Sequence, residues 1–141
     1  MGKALAGVAA IICVSVVLYF SYDYLYGFLR PQPDFGITAV PDSVVLRSYE
    51  DSSNATLVTL KSVNGFSGEI SLKLVKSFGI MGDIRFDLAS HSAYLPPDGQ
   101  CQVTLYLLVV SFVTQGEYYV DVVATAGQIE HAERIIITVS N

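Results

Sequence analysis

Between Ala4 and Phe20 the chain carries no charged side chain, and four tyrosines (Tyr19, Tyr22, Tyr24, Tyr26) follow at once. Roughly 17–25 apolar residues suffice for a helix to cross the hydrocarbon core, and aromatic rings with polar tips gather where lipid meets water. Residues 1–30 therefore read as an N-terminal membrane anchor helix with an aromatic collar. Pro31-Gln32-Pro33-Asp34 is a stiff spacer, because proline fixes φ and cannot extend a helix. Residues 35–141 then alternate in hydrophobicity like a β-protein.

A cleavable signal needs a basic start, a short apolar core and a small-residue cleavage site. Lys3 supplies the first, but Leu18-Tyr19-Phe20-Ser21-Tyr22-Asp23 offers no such site. A lipoprotein signal would need a small residue before Cys13, where Ile12 stands. A pilin-like cut at Lys3-Ala4 is the competing reading. Lys3 on one side of the helix and Arg30 beside Asp23 on the other place the N-terminus in the cytoplasm and the C-terminal domain outside. Asn54-Ala55-Thr56 is an N-glycosylation acceptor, which fits an external domain. Gly2, Ala6 and Ala10 recur every four residues, a spacing that lets another transmembrane helix approach closely.

From Pro31 onward there are 6 basic against 12 acidic residues, leaving −6 of charge, and no Lys/Arg cluster. That excludes nucleic acid as a partner and argues against anionic lipid headgroups. Cys13 lies in the helix and Cys101 in the β-region, so both read as small hydrophobes.

Short alternating runs fall at Phe35–Val40, Val44–Leu46, Ala55–Val63, Ile70–Leu74, Ile84–Phe86, Cys101–Val110, Tyr118–Ala124 and Arg134–Val139. Turn signals separate them, among them Asn64-Gly65 and Pro96-Pro97-Asp98-Gly99. This pattern predicts an all-β sandwich of about seven antiparallel strands. Asp34-Phe35, Ser62-Val63-Asn64-Gly65-Phe66-Ser67-Gly68, Pro96-Pro97-Asp98-Gly99 and Gly116-Glu117-Tyr118-Tyr119-Val120-Asp121-Val122 occur in that order. Together they resemble the immunoglobulin-like repeats of archaeal cell-surface and S-layer-associated proteins, over about residues 34–140. The resemblance implies an immunoglobulin-like fold and says almost nothing about a ligand. Tyr118 is placed to tether a strand corner through its hydroxyl, and Val120 and Val122 should point inward.

Three departures stand out. The chain has a single module with an anchor, where the family is usually repeated and rich in Ser and Thr. Phe78-Gly79-Ile80-Met81-Gly82-Asp83 lacks an expected proline. If Cys101, Val103, Leu105 and Leu107 face the core, then Tyr106, Leu108 and Val110 face outward, where the family shows Thr or Ser. An apolar outer stripe is the signature of a protein or lipid contact.

Chemistry is sparse. His91 and His131 lie about 40 residues apart, Glu130-His131 with Glu133 reads as a solvated strand edge, and Asp83, Asp87 and Asp98 follow no calcium-loop spacing. No phosphate loop, zinc-helix or nucleophile-elbow motif is present. The expectation is therefore a non-enzyme without metal or cofactor: a single-pass membrane protein, accessory or structural subunit of a larger membrane or envelope assembly. Its partners would be membrane lipid and other membrane or envelope proteins. The alternatives are a pilin-like filament subunit and a carbohydrate-binding module using Tyr49, Tyr94 or Tyr119, the chain having no Trp.

Overall fold

The computed structural model describes the backbone of residues 2–49, 51–77 and 83–141, and the side chains of these apart from 2–14 and 23. It divides the chain into two compact units, Met1–Gln32 and Pro33–Asn141. In the first, helix α1 runs through Gly2–Leu29 and stops just short of Pro31, whose ring disfavours helical backbone in the residue before it. Its described large apolar side chains are exposed, from Val16 at 47% to Phe28 at 86%. The rings of Tyr22 and Tyr26, one turn apart, lie 4.7 Å from each other. Among the described residues, no helix is long and apolar enough to cross a membrane. Much of the run Ala4–Phe20 falls on side chains outside the described residues.

The second unit is a two-sheet β-sandwich. Strands β1 (Asp34–Val40), β3 (Ser53–Val63), β7 (Gln100–Val109) and β5 (Ile84–Leu88) form a four-stranded sheet in the order β1-β3-β7-β5. The second sheet runs β2-β9-β8-β4-β6, from β2 (Ser43–Arg47), β9 (Ile129–Ser140), β8 (Gly116–Ala126), β4 (Gly68–Lys76) and β6 (Ser92–Leu95). The described strands number nine rather than about seven. One pairing, β2 with β9, is parallel, so the sandwich is not wholly antiparallel. This follows from the break at Pro41-Asp42, where the chain leaves β1 in one sheet and enters the other as β2.

Alternation decides which side chains meet between the sheets, since a strand's period of two sends every second residue inward. Val58 and Leu60 on β3, Leu105 and Leu107 on β7, Val120 and Val122 on β8, and Ile135 and Ile137 on β9 are all buried. Cys101, at the open end of β7, is only half-buried, and burial raises its thiol pKa. Tyr118, near the start of β8, donates its hydroxyl to Thr114 O at 2.8 Å, the strand-corner tether its position implied.

Two turns are tied together by one buried serine. Asn64 and Gly65 both take positive φ (53° and 74°), the tight turn that Asn-Gly favours, closed by the Phe66 N–H donating to Val63 O at 3.2 Å; it carries the chain from β3 in one sheet to β4 in the other. Gly99 closes the second turn by donating to Pro96 O at 3.1 Å. A Cβ on Gly99 would sit 2.6 Å from the Pro96 ring, so only glycine fits there unstrained. Between them Ser62 Oγ donates to Phe66 O (2.8 Å) and accepts from the Asp98 N–H (3.1 Å). The Ser62 N–H donates to Gly99 O at 2.9 Å. Among the described residues no buried side-chain polar atom lacks a partner.

Candidate functional site

The outer face of the four-stranded sheet is set by the alternation of β7. Val103, Leu105, Leu107 and Val109 point inward, so the intervening residues of β7 and Val110 beyond it point outward. Tyr106 is 52% exposed, Val110 is 41% exposed and Leu108 is half-buried. Pairing extends the stripe sideways. Tyr106 lies opposite Ala55 on β3, two residues along from Leu57, and Leu57 lies opposite Val40 at the end of β1. Val40 is 68% exposed. An apolar band therefore runs obliquely over three strands, with Tyr106 near its middle. On its far side Asp87 lies opposite Tyr106, and Arg85 lies opposite Leu108. Sequence reasoning found the β7 residues by parity but missed Val40 and Leu57, which belong to the band only through pairing register.

The other expected positions fare differently. Gly2, Ala6 and Ala10 lie on the helical backbone of α1, but their side chains fall outside the described residues, as do those of Cys13 and Asp23. Phe78–Gly82 falls outside them altogether. Asn54 stands near the start of β3. It is exposed, its amide donates to Val45 O at 3.3 Å, and its carbonyl accepts from the Ala55 N–H at 2.8 Å.

His131 makes a definite contact where a solvated strand edge was expected. Its Nε2 lies 2.7 Å from Asp34 Oδ1, and its ring meets Phe35 edge-on at 5.1 Å between centroids. This joins β9 of one sheet to β1 of the other. The bond to His131, aided by the Phe35 N–H, holds the Asp34 carboxyl below the usual range. On the outer face of the five-stranded sheet, Arg134 grips Asp121 with two bonds (2.7 and 2.8 Å) and stacks over Tyr119 at 3.8 Å. Those bonds lower the Asp121 pKa.

Tyr119 is therefore covered. Tyr49 accepts from Arg47 Nη1 at 2.6 Å, and Tyr94 OH bonds Ser67 Oγ at 3.0 Å, so the three tyrosines form no common platform. Asp83 accepts from Ser111 beside the end of β7 at Val109, whereas Asp98 sits in the turn at its other end. Among the described residues no three His, Cys, Asp or Glu side chains group as metal ligands.

No protein-family model matches the sequence, and no curated protein matches it. Among solved structures the chain is similar to a family 123 glycoside hydrolase from Clostridium perfringens at 7% identity and TM-score 0.56, over 75% of this chain and 27% of the hydrolase. It is similar to domains 4 and 5 of the S-layer protein SbsC at 14% identity and TM-score 0.52, over 78% of this chain and 54% of that one. A FixG-related protein from Vibrio parahaemolyticus matches at 6% identity and TM-score 0.54, over 79% of this chain and 99% of that one. The chain thus spans about a quarter of the hydrolase and half of the S-layer fragment. At such identities the likeness establishes a shared β-sandwich fold.

Proposed function

We propose that this chain is a non-catalytic, single-pass membrane protein whose external immunoglobulin-like domain binds other proteins, as an accessory or structural subunit of a larger membrane or cell-envelope assembly. Tyr106 carries the reading. A half-exposed aromatic in the middle of an apolar band is the kind of residue that anchors protein interfaces. Immunoglobulin sandwiches run A-B-E-D in one sheet and C-F-G in the other. The orders β1-β3-β7-β5 and β4-β8-β9 support that assignment, as does the Tyr118 tether. The uncharged run Ala4–Phe20 and the exposed apolar side chains from Val16 onward support α1 as the tether, and Lys3 ahead of the run supports a cytoplasmic N-terminus. A sandwich shared with S-layer domains suits a surface setting.

The test is the native mass of the full chain extracted from its own membranes in mild detergent. A stoichiometric particle containing another protein is expected, and Tyr106→Asp should release that protein without unfolding the domain. A lone 15.3 kDa species would overturn the reading.

A further inference from the structure

Each sheet ends in two edge strands, and an edge with unpaired N–H and C=O groups is a template for another strand. Three of the four edges carry at least one side-chain cap on an outward main-chain group. On β1 the Phe35 N–H donates to Asp34 Oδ1 at 2.7 Å. On β2 the Arg47 N–H donates to Ser52 Oγ (2.7 Å), and Val45 O accepts from Asn54 Nδ2. On β6 the Ser90 hydroxyl donates to Ser92 O (2.5 Å) and accepts from its N–H (3.3 Å).

Strand β5 is different. Ala89 N–H donates to Thr104 O and Val110 N–H to Asp83 O, both at 2.9 Å, which fixes the phase of its ladder with β7. Main-chain groups alternate sides along an antiparallel strand, so Arg85 and Asp87 turn theirs toward β7 while Ile84, Phe86 and Leu88 turn theirs away. Among the described residues no side chain caps those outward groups. Arg85 and Asp87 are exposed on the outer face, two residues apart, with no ion-pair partner among the described residues.

We infer that β5 pairs with β5 of a second copy of this chain, antiparallel across a twofold axis at Phe86. That register sets Ile84 opposite Leu88 and Phe86 opposite itself, with about six main-chain hydrogen bonds between copies. It also sets Arg85 directly opposite Asp87 of the other copy, twice, at the closely spaced positions where opposite charges on facing strands attract. No other edge strand has this self-complementary charge pattern: β1 has only Asp34, already bound by His131, β2 only Arg47, and β6 neither sign. The two four-stranded sheets become one of eight strands. The inference does not depend on the membrane tether or on the binding of a different protein.

The test is sedimentation equilibrium of the purified full chain in detergent at micromolar concentrations, with circular dichroism to verify folding. Wild type should weigh two 15.3 kDa chains after subtraction of bound detergent. R85E and D87K each place like charges opposite one another twice, and each should weaken the dimer by about tenfold or more. The double variant R85E/D87K should restore it. So should mixing the two single variants. In the mixed dimer the introduced carboxylate of the R85E copy faces the introduced ammonium of the D87K copy, and the remaining Arg85 faces the remaining Asp87. A monomeric wild type, single variants that dimerise like wild type, or a double variant that fails to recover would each overturn the inference.

Discussion

Tyr106 and Leu107 are neighbours in sequence on opposite faces of one sheet, so truncating each to alanine separates contact from core. Leu107 is 1% exposed. Removing a buried leucine side chain costs about 2–5 kcal/mol. At roughly 5 °C per kcal/mol for a domain of this size, Leu107→Ala should lower the Tm by about 10–25 °C. Tyr106 is 52% exposed, so its truncation leaves the core intact and should move stability by no more than about 1 kcal/mol. Its cost should appear on binding. Half of a tyrosine's roughly 200 Å² is about 100 Å² available to a partner, or about 2.5 kcal/mol at 25 cal/mol per Å². That corresponds to roughly sixty-fold weaker association. Thermal unfolding followed by circular dichroism reads the first quantity, and titration of the membrane-extracted partner onto the full chain reads the second. If Tyr106→Ala melts like Leu107→Ala, the strand register is wrong. If it melts like wild type and binds like wild type, the outer band is not the contact.

Ser62→Ala should cost about 2 kcal/mol in urea unfolding, since it strips a donor from Phe66 O and an acceptor from the Asp98 N–H at a nearly buried site; the exposed Ser67→Ala is its control. Gly99→Ala should lower the Tm because the new methyl collides with the Pro96 ring, whereas Gly36→Ala, with open space around it, should not clash. Asp34 and Asp121 both have lowered pKa values in the folded protein, Asp34 through His131 and Asp121 through Arg134. Their stabilisation is therefore fully present above the ordinary carboxylate value near ~4 and is lost as pH falls through the folded values below it. A Tm series from pH 6 to pH 2 should fall less steeply in the double variant D34N/D121N than in wild type.

Much of the domain was legible because alternation is local. The parity that buried Val58 and Leu60 also turned Tyr106 outward, and Asn64-Gly65 and Tyr118 carry their geometry in their own chemistry. Pairing is another matter, because it depends on residues far apart in sequence. Nothing near Val44-Val45-Leu46 announces that this segment runs parallel to β9 in the opposite sheet. Ser92–Leu95, four residues long with one serine and one exposed tyrosine, offers no alternation strong enough to mark a strand. His131 looked solvated because its partner, Asp34, stands 97 residues away. The serine and asparagine caps on the strand edges were equally hidden, since the main-chain groups that Ser52, Asn54 and Ser90 reach are fixed only by the strand pairing.

Alkaline carbonate extraction of membranes carrying the intact chain addresses the tethered contact domain most directly. Peripheral proteins leave the bilayer under this treatment and embedded ones stay. The chain should remain wholly in the membrane pellet, its tyrosine collar protected with it; recovery in the soluble wash would contradict the account.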